Sequence, residues 1–292
     1  MIRKVALVPN TGKSGALRCA SRVAQILGNS GIECYAEPSR AEMFAALGGG
    51  VMPIELDALF KSCDAAIVFG GDGTVLSVAK RAAEADVPII GVNFGHVGYI
   101  TELEESEVDM LSRLATGDFR LEKRMMLDVS ISKAGKQLFF SHAFNEAAIT
   151  RGIITRLADF SVSCDGNLVS NYRADGLIIA TPTGSTAYSM AAGGPVIDPS
   201  VEVIATTPVC SHSLELARSL VFGPNSVIKV NIPSARRAEA VLTVDGRAYF
   251  RINDNEVSVT VTKSQKYVSL IRLKNVPFAT TLFKKFGVGN QG

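Results

Sequence analysis

Apolar and polar positions follow two different rhythms along this chain. In the first hundred residues, Val5–Val8, Ala65–Phe69 and Ile89–Val92 are unbroken short apolar runs, and Ile32–Ala36 is a fourth strand-like stretch. Runs without polar alternation predict strands buried on both faces. Between them Leu17, Ala20, Val23, Ala24 and Leu27 recur at helical spacing and predict a helix from Ser14 to Gly28, stopped by Gly28-Asn29-Ser30-Gly31. Further helices are predicted over Ala41–Leu47, ahead of a mobile triple-glycine connection at 48–50, and over Thr74–Ala85. Buried strands alternating with helices imply a mostly parallel sheet with helices on its faces.

From about residue 102 the rhythm changes. Leu103–Thr116 still reads as a helix, but Leu127, Val129 and Ile131 alternate with polar residues, and Lys133-Ala134-Gly135-Lys136 predicts a hairpin turn into Leu138–Phe140. Asp165-Gly166 follows the strand-like Phe160–Ser163, and Asp245-Gly246 follows Val241–Val244. Asp-Gly between strands is the strongest short hairpin signal, because a type I′ turn needs positive φ at both residues. Val257–Val261 and Val268–Leu273 continue the β texture, and Leu282 and Phe286 predict a last helix over Thr280–Phe286. The fold expected is an α/β domain, 1–101, and an all-β, sandwich-like domain, 102–274, with 275–292 packing back on the first. That division suits 292 residues at ~150 per domain.

Composition narrows the functional classes. With 47% hydrophobic and 20% charged residues, the chain is globular rather than disordered. Lys and Arg total 30 against 28 Asp and Glu, a formal net charge of +2. That balance is too even to hold nucleic acid or a membrane surface by bulk charge. No apolar run reaches the ~18 residues of a spanning helix, and Val5–Val8 is too short for a secretory signal. Cys19, Cys34, Cys63, Cys164 and Cys210 are odd in number and form no Cys-x-x-Cys pair. They predict reduced bystander thiols in a cytoplasmic protein.

Two familiar phosphate motifs are incomplete. Gly12-Lys13-Ser14 lacks the earlier glycine of a P-loop, where Leu7 stands, and Gly71-x-Gly73 lacks the third glycine of a dinucleotide fingerprint, where Leu76 stands. His96, His142 and His212 have no ligand spacing, so no dedicated metal site is expected. What remains is Gly70-Gly71-Asp72-Gly73-Thr74, where a buried strand turns into a helix at the carboxyl edge of a parallel sheet. Glycines let backbone N–H groups approach phosphate, and the helix dipole favours an anion. A carboxylate there needs other work: accepting a proton from a substrate hydroxyl, binding Mg²⁺, or simply capping the helix through Thr74.

A second stretch runs from Arg173 through an apolar strand into Thr181-Pro182-Thr183-Gly184-Ser185-Thr186, with a helix predicted from Ser185 to Ala192. Its free N–H groups and the Thr183, Ser185 and Thr186 hydroxyls suit an anion or a ribose. Tyr188 either stacks on a base or packs in the core. Asn145-Glu146, at a strand end, either grips ribose hydroxyls or stabilises a bend.

In order along the chain, Gly70-Gly71-Asp72-Gly73-Thr74, Asn93-Phe94-Gly95-x-x-Gly98-Tyr99, Asn145-Glu146, Asp175-Gly176, Thr181–Tyr188 and Ala192-Gly193-Gly194-Pro195 resemble the NAD kinase family. The resemblance implies NAD in a cleft between the two domains and transfer of a phosphoryl group from ATP, or from inorganic polyphosphate, to its 2′-hydroxyl. It also implies a divalent cation, Mg²⁺, and a homo-oligomeric assembly, dimer or tetramer. Asp72 would be the general base, with Gly70, Gly71, Gly73 and Thr74 against phosphate. Around the dinucleotide it places Asp72, Gly73, Asn145, Glu146, Asp175, Thr186, Ala187, Tyr188, Ser189, Met190 and Ala191, and with them Arg156, Arg173 and Arg247. Arg173 resembles the residue of members strict for oxidised NAD and ATP.

Three positions depart from the family pattern. Ser77 replaces a basic residue that many members carry, with Lys80 or Arg81 as substitutes, while Ser211 and Ser219 replace prolines and loosen loops. Two competitors share part of the pattern: a diacylglycerol-type lipid kinase and a non-catalytic dinucleotide sensor. Asn145-Glu146 and Asn93-Phe94-Gly95 speak against the first. A carboxylate beside phosphates, of little use to a pure binder, speaks against the second.

Overall fold

The computed structural model describes residues 1–95, 98–152, 157–212, 218–233 and 239–285. The chain divides into two compact units, one made of Met1–Lys123 and the segment from Tyr267 onward, the other of Arg124–Lys266.

In the first unit β1 (Lys4–Pro9), β2 (Glu33–Ala36), β3 (Val51–Pro53), β4 (Ala65–Gly70), β5 (Ile89–Asn93) and β6 (Leu103–Glu104) alternate with α1 (Ala16–Asn29), α2 (Pro38–Ala45), α3 (Leu56–Ser62) and α4 (Asp72–Glu84). The strands are parallel in the order β5-β4-β1-β2-β3, with β6 beside β5 and the end of the chain's last strand joining β5 where Leu270 faces Ile89. Every residue of β4 and β5 is buried, as their apolar runs predict. Val5, Leu7, Ile67, Phe69 and Val92 share one core with Val23 and Leu27 of α1. β4 lies between β1 and β5, so its carboxyl end, Gly70, opens at the middle of the sheet edge.

Two predicted helices are redrawn. α2 begins at Pro38 rather than Ala41, because proline is pre-organised for a first helical turn. Leu103–Thr116 is not a single helix. Leu103 and Glu104 pair with Val92 and Asn93, a 3₁₀ helix follows over Glu105–Ser112, and α5 (Arg113–Thr116) ends it. The Glu107 carboxylate accepts the Glu104 N–H at 2.9 Å, which starts the 3₁₀ helix one residue past the strand.

The second unit is antiparallel. Its strands are β7 (Arg120–Lys133), β8 (Lys136–Ala143), β9 (Glu146–Arg151), β10 (Ala158–Cys164), β11 (Asn167–Ala174), β12 (Gly176–Ala180), β13 (Ile204–Val209), β14 (Leu220–Phe222), β15 (Ile228–Asn231), β16 (Ala240–Val244), β17 (Arg247–Ile252) and β18 (Val257–Arg272). The chain crosses between the units within β7 and within β18. One sheet of this unit runs β11-β10-β15-β18 with β7 and β8, and the other runs β14-β13-β12-β9-β16-β17. All three predicted hairpins form with positive φ at both turn residues: Ala134 and Gly135 at 47° and 79°, Asp165 and Gly166 at 52° and 83°, Asp245 and Gly246 at 49° and 74°. A short helix, α6 (Tyr188–Ala191), follows β12, and α7 (Phe278–Lys285) belongs to the first unit and starts two residues before the predicted Thr280. Phe286 lies outside the described residues. Among the described residues no helix is long and apolar enough to cross a membrane.

Candidate active site

The turn from β4 into α4 holds Asp72 at the first helical position. Its carboxylate does not cap the helix. The Thr74 N–H goes instead to the Gly71 carbonyl at 2.9 Å. Asp72 Oδ2 accepts the Tyr99 N–H at 2.8 Å, and Oδ1 accepts the Ile100 N–H at 3.0 Å. Each oxygen keeps accepting capacity, so the carboxylate is fixed in place and still open to a hydroxyl.

Those two N–H groups explain the glycine at position 98. A Cβ on Gly98 would collide with the Asp72 carboxylate and the Thr101 hydroxyl, so only glycine lets the loop come this close. Asn93 fixes the start of the loop by donating from Nδ2 to the Gly95 carbonyl at 3.3 Å and to Glu104 Oε2 at 3.2 Å. The three turn glycines play different parts. A Cβ on Gly70 would strike the Thr74 side chain, whereas on Gly71 or Gly73 it would meet nothing. Gly70 therefore serves strand–helix packing, and Gly71 and Gly73 leave the backbone approachable.

Thr74 Oγ1 accepts from Asn10 Nδ2 at 3.0 Å, and Ser77 spends its hydroxyl proton on the Thr74 carbonyl at 2.7 Å. Lys80 and Arg81 are exposed on α4. A residue that the sequence pattern did not single out completes this cluster. Lys285 of α7 places Nζ 3.8 Å from Asp72 Oδ2 and 3.8 Å from the centroid of the Tyr99 ring.

In the second unit Asn145-Glu146 is clamped by segments remote in sequence. Asp245, in its hairpin turn, accepts the N–H groups of Phe144, Asn145 and Glu146 at 2.8, 2.7 and 3.1 Å. Thr181 donates its N–H to the Asn145 carbonyl at 2.9 Å and its hydroxyl to the Phe144 carbonyl at 2.7 Å. Gly184 lies against the Asn145 backbone with no room for a Cβ. The clamp leaves Asn145 Oδ1 and Glu146 Oε2 buried with no hydrogen-bond partner. Burial, and then the nearby Asp245, push the Glu146 carboxyl up to about 7 against an opposing Tyr188 N–H bond. Burial raises Asp245 as well. Two adjacent, unpartnered acceptors are what a ligand presenting hydroxyl groups would satisfy.

The helix expected from Ser185 to Ala192 is broken. Ala187, at φ −102° and ψ −126°, separates a 3₁₀ turn over Gly184–Thr186 from α6. Tyr188, just past the break, is 41% exposed, so its ring is not a core residue. The hydroxyls expected to face an anion are used inside the turn. Ser185 is fully buried, donates to the Pro182 carbonyl at 2.6 Å and accepts the Ile197 N–H at 2.9 Å. Thr183 is buried and accepts from Arg124 at 3.3 Å, while Thr186 donates to the Thr183 carbonyl at 3.1 Å. Ser189 turns inward to the Thr207 hydroxyl at 3.1 Å, Met190 is half-buried, and Ala191 is exposed.

Asp175 pairs with Arg151 at 3.1 Å, not with Arg173. Arg173 lies 4.0 Å from Asp159 across the β10–β11 ladder with its side chain 68% exposed. Arg247 follows the Asp245-Gly246 turn, where its charge partly offsets the upward push on Asp245. Arg156 lies outside the described residues.

Neither the surroundings of His142 nor the buried cysteines are arranged for catalysis. Asp128 Oδ1 and Ser264 Oγ both meet His142 at Nδ1, at 2.7 and 3.3 Å, so they do not form a relay through the ring. Burial pushes the Cys19 thiol up to about 11 and those of Cys34 and Cys63 up to about 12, which suppresses the reactive thiolate. Among the described residues no three His, Cys, Asp or Glu side chains converge into a metal cage.

Residues 5–119 match the family model of the ATP-NAD kinase N-terminal domain, and residues 144–273 match that of the ATP-NAD kinase C-terminal domain. The NAD kinase of Thermoanaerobacter sp. (strain X514) is 37% identical over 286 residues, 97% of this chain and 99% of that one. The NAD kinase of Natranaerobius thermophilus is 33% identical over 291 residues, 99% of this chain and all of that one. Among solved structures, an NAD kinase from Archaeoglobus fulgidus in complex with ATP superposes with a TM-score of 0.71 at 25% identity, covering 97% of this chain and 98% of that one. Yeast NADH kinase complexed with NADH superposes with a TM-score of 0.89 at 21% identity, covering all of this chain and 89% of that one, and carries the likeness of fold.

Proposed function

The chain belongs to the NAD kinase family, and from that premise we propose that Asp72 is the base of its reaction. The reaction moves the terminal phosphoryl group of ATP to the 2′-hydroxyl of the adenosine ribose of NAD, giving NADP and ADP. Asp72 takes the hydroxyl proton as the ribose oxygen bonds to phosphorus and the bond to the departing ADP oxygen breaks. The observation that carries this reading is the carboxylate itself: two backbone N–H groups fix it at a helix start whose flanking glycines are open. Mg²⁺ bound with ATP would be held chiefly by the phosphates and water, and its charge would offset that of the transferring group.

The unpartnered oxygens of Asn145 and Glu146 accept from ribose hydroxyls, and the exposed Tyr188 ring lies along the nucleotide. Thr186, Ala187 and Asp175 flank the same ligand, and the assembly is a homo-oligomer.

Incubating the purified protein with NAD, ATP and Mg²⁺ should yield NADP. Asp72→Asn should lower kcat by ~10²–10⁴ while NAD still binds. Near-wild-type kcat in that variant removes Asp72 from the mechanism. Absence of NADP from the wild type removes the reaction itself.

A further inference from the structure

No side chain of α7 is fully buried, yet the side chain of Lys285 near its end is only 29% exposed and lies against the Asp72 carboxylate. The 3.8 Å separation of Nζ from Oδ2 is too long for a hydrogen bond, so the ammonium N–H donors are not spent on that oxygen. The ammonium is seated on the face of Tyr99, 3.8 Å from its centroid, and Phe278 at the other end of α7 meets the same ring at 6.3 Å. Tyr99 therefore does two things: its N–H fixes the carboxylate, and its ring seats a cation beside it. Lys284, the preceding residue, directs its charge toward Glu107 instead.

The spacing decides what such a cation can touch. A hydroxyl giving its proton to Asp72 sits ~2.6–3.2 Å from the carboxylate. The phosphorus it attacks lies ~3–3.5 Å further on. With phosphorus thus ~6 Å from the carboxylate, an ammonium 3.8 Å from Oδ2 is close enough to reach one of the transferring group's oxygens with a charged hydrogen bond of ~2.8 Å. A triphosphate approaching a carboxylate also needs positive charge there, because the two anions repel.

We propose that Lys285 binds the transferring phosphate of the donor at Asp72. The inference rests on reading Asp72 as the base.

Lys285→Met keeps an unbranched stem on the Tyr99 ring and removes the charge, while Lys285→Arg restores a cation. In Lys285→Met, kcat/KM for ATP should fall ~10- to 100-fold, and Mg²⁺–tripolyphosphate should bind the full-length protein more weakly by a similar factor. KM for NAD should stay within about twofold, and Lys285→Arg should recover most of both losses. Unchanged ATP kinetics and tripolyphosphate binding in Lys285→Met overturn the proposal. So does a gain in kcat or tighter NAD binding, which would make the lysine an obstruction over the base. If Asp72→Asn stays active while Lys285→Met loses tripolyphosphate, only the base assignment fails. If Asp72→Asn loses activity and Lys285→Met loses nothing, the lysine assignment alone fails.

Discussion

Replacing Glu146 by glutamine should change how the stability of this protein depends on pH. Burial lifts the carboxyl from 4.5 to about 7 in the folded chain. Between those values the folded state keeps a proton that the unfolded state releases. Stability from this source is therefore complete below about pH 4.5 and is lost as pH rises toward 7. At ~1.4 kcal/mol per pH unit the loss is at most about 3 kcal/mol. Thermal melts of the wild type should show a falling Tm across that window, and Glu146→Gln should flatten the fall. An equally steep fall in the variant would assign it to other groups. Asp245, raised in the same direction, remains in both proteins. The sequence marks Asp245 as a turn former and nothing more, because its side chain holds Phe144, Asn145 and Glu146, about a hundred positions earlier.

Gly98 ties the Tyr99 and Ile100 N–H groups to Asp72. Gly98→Ala should displace the Asp72 carboxylate or the loop, with a stability loss of ~1–3 kcal/mol from overpacking. The kcat should fall at least ~10-fold, since a small misplacement of a reacting group is costly. Gly73→Ala, whose Cβ meets nothing, should leave the melting temperature within a degree or two of wild type. Equal Tm values for the two variants would contradict the crowding at Gly98. Elements of this kind were legible in proportion to how local their signals are. Unbroken apolar runs announced β4 and β5, and Asp-Gly pairs announced two hairpins. The breaks were hidden. Leu103 has a helical apolar neighbourhood but pairs with Val92, and Ala187 leaves the helix among residues that would all tolerate one. β3 and α3 are too short to display a period. Lys285 could be read as part of a docking helix, but its place beside Asp72 depends on contacts that no spacing encodes.

The first unit is built from both ends of the chain. Arg272 is 8% exposed and pairs with Glu102 at 3.1 Å and Glu122 at 3.0 Å, while Glu102 also accepts the Leu273 and Lys274 N–H groups at 2.8 and 2.7 Å. A chain cut after Lys266 would keep every residue of the second unit and strand Glu102 as a buried charge. Such a loss costs ~3–5 kcal/mol, so hydrogen exchange in β4 and β5 should lose its protection while β9 and β12 keep theirs. Protected β4 amides in the cut chain would contradict this. The same arrangement sets a delay during synthesis. Glu102 and Arg272 lie 170 positions apart. A ribosome adding ~5–20 residues per second needs on the order of ten to thirty seconds to cover that gap. The half of the protein that leaves the exit tunnel first is thus sealed last. Through that interval the nascent chain shows chaperones and proteases an acidic, unfinished flank at Glu102, and the arrival of Arg272 closes it.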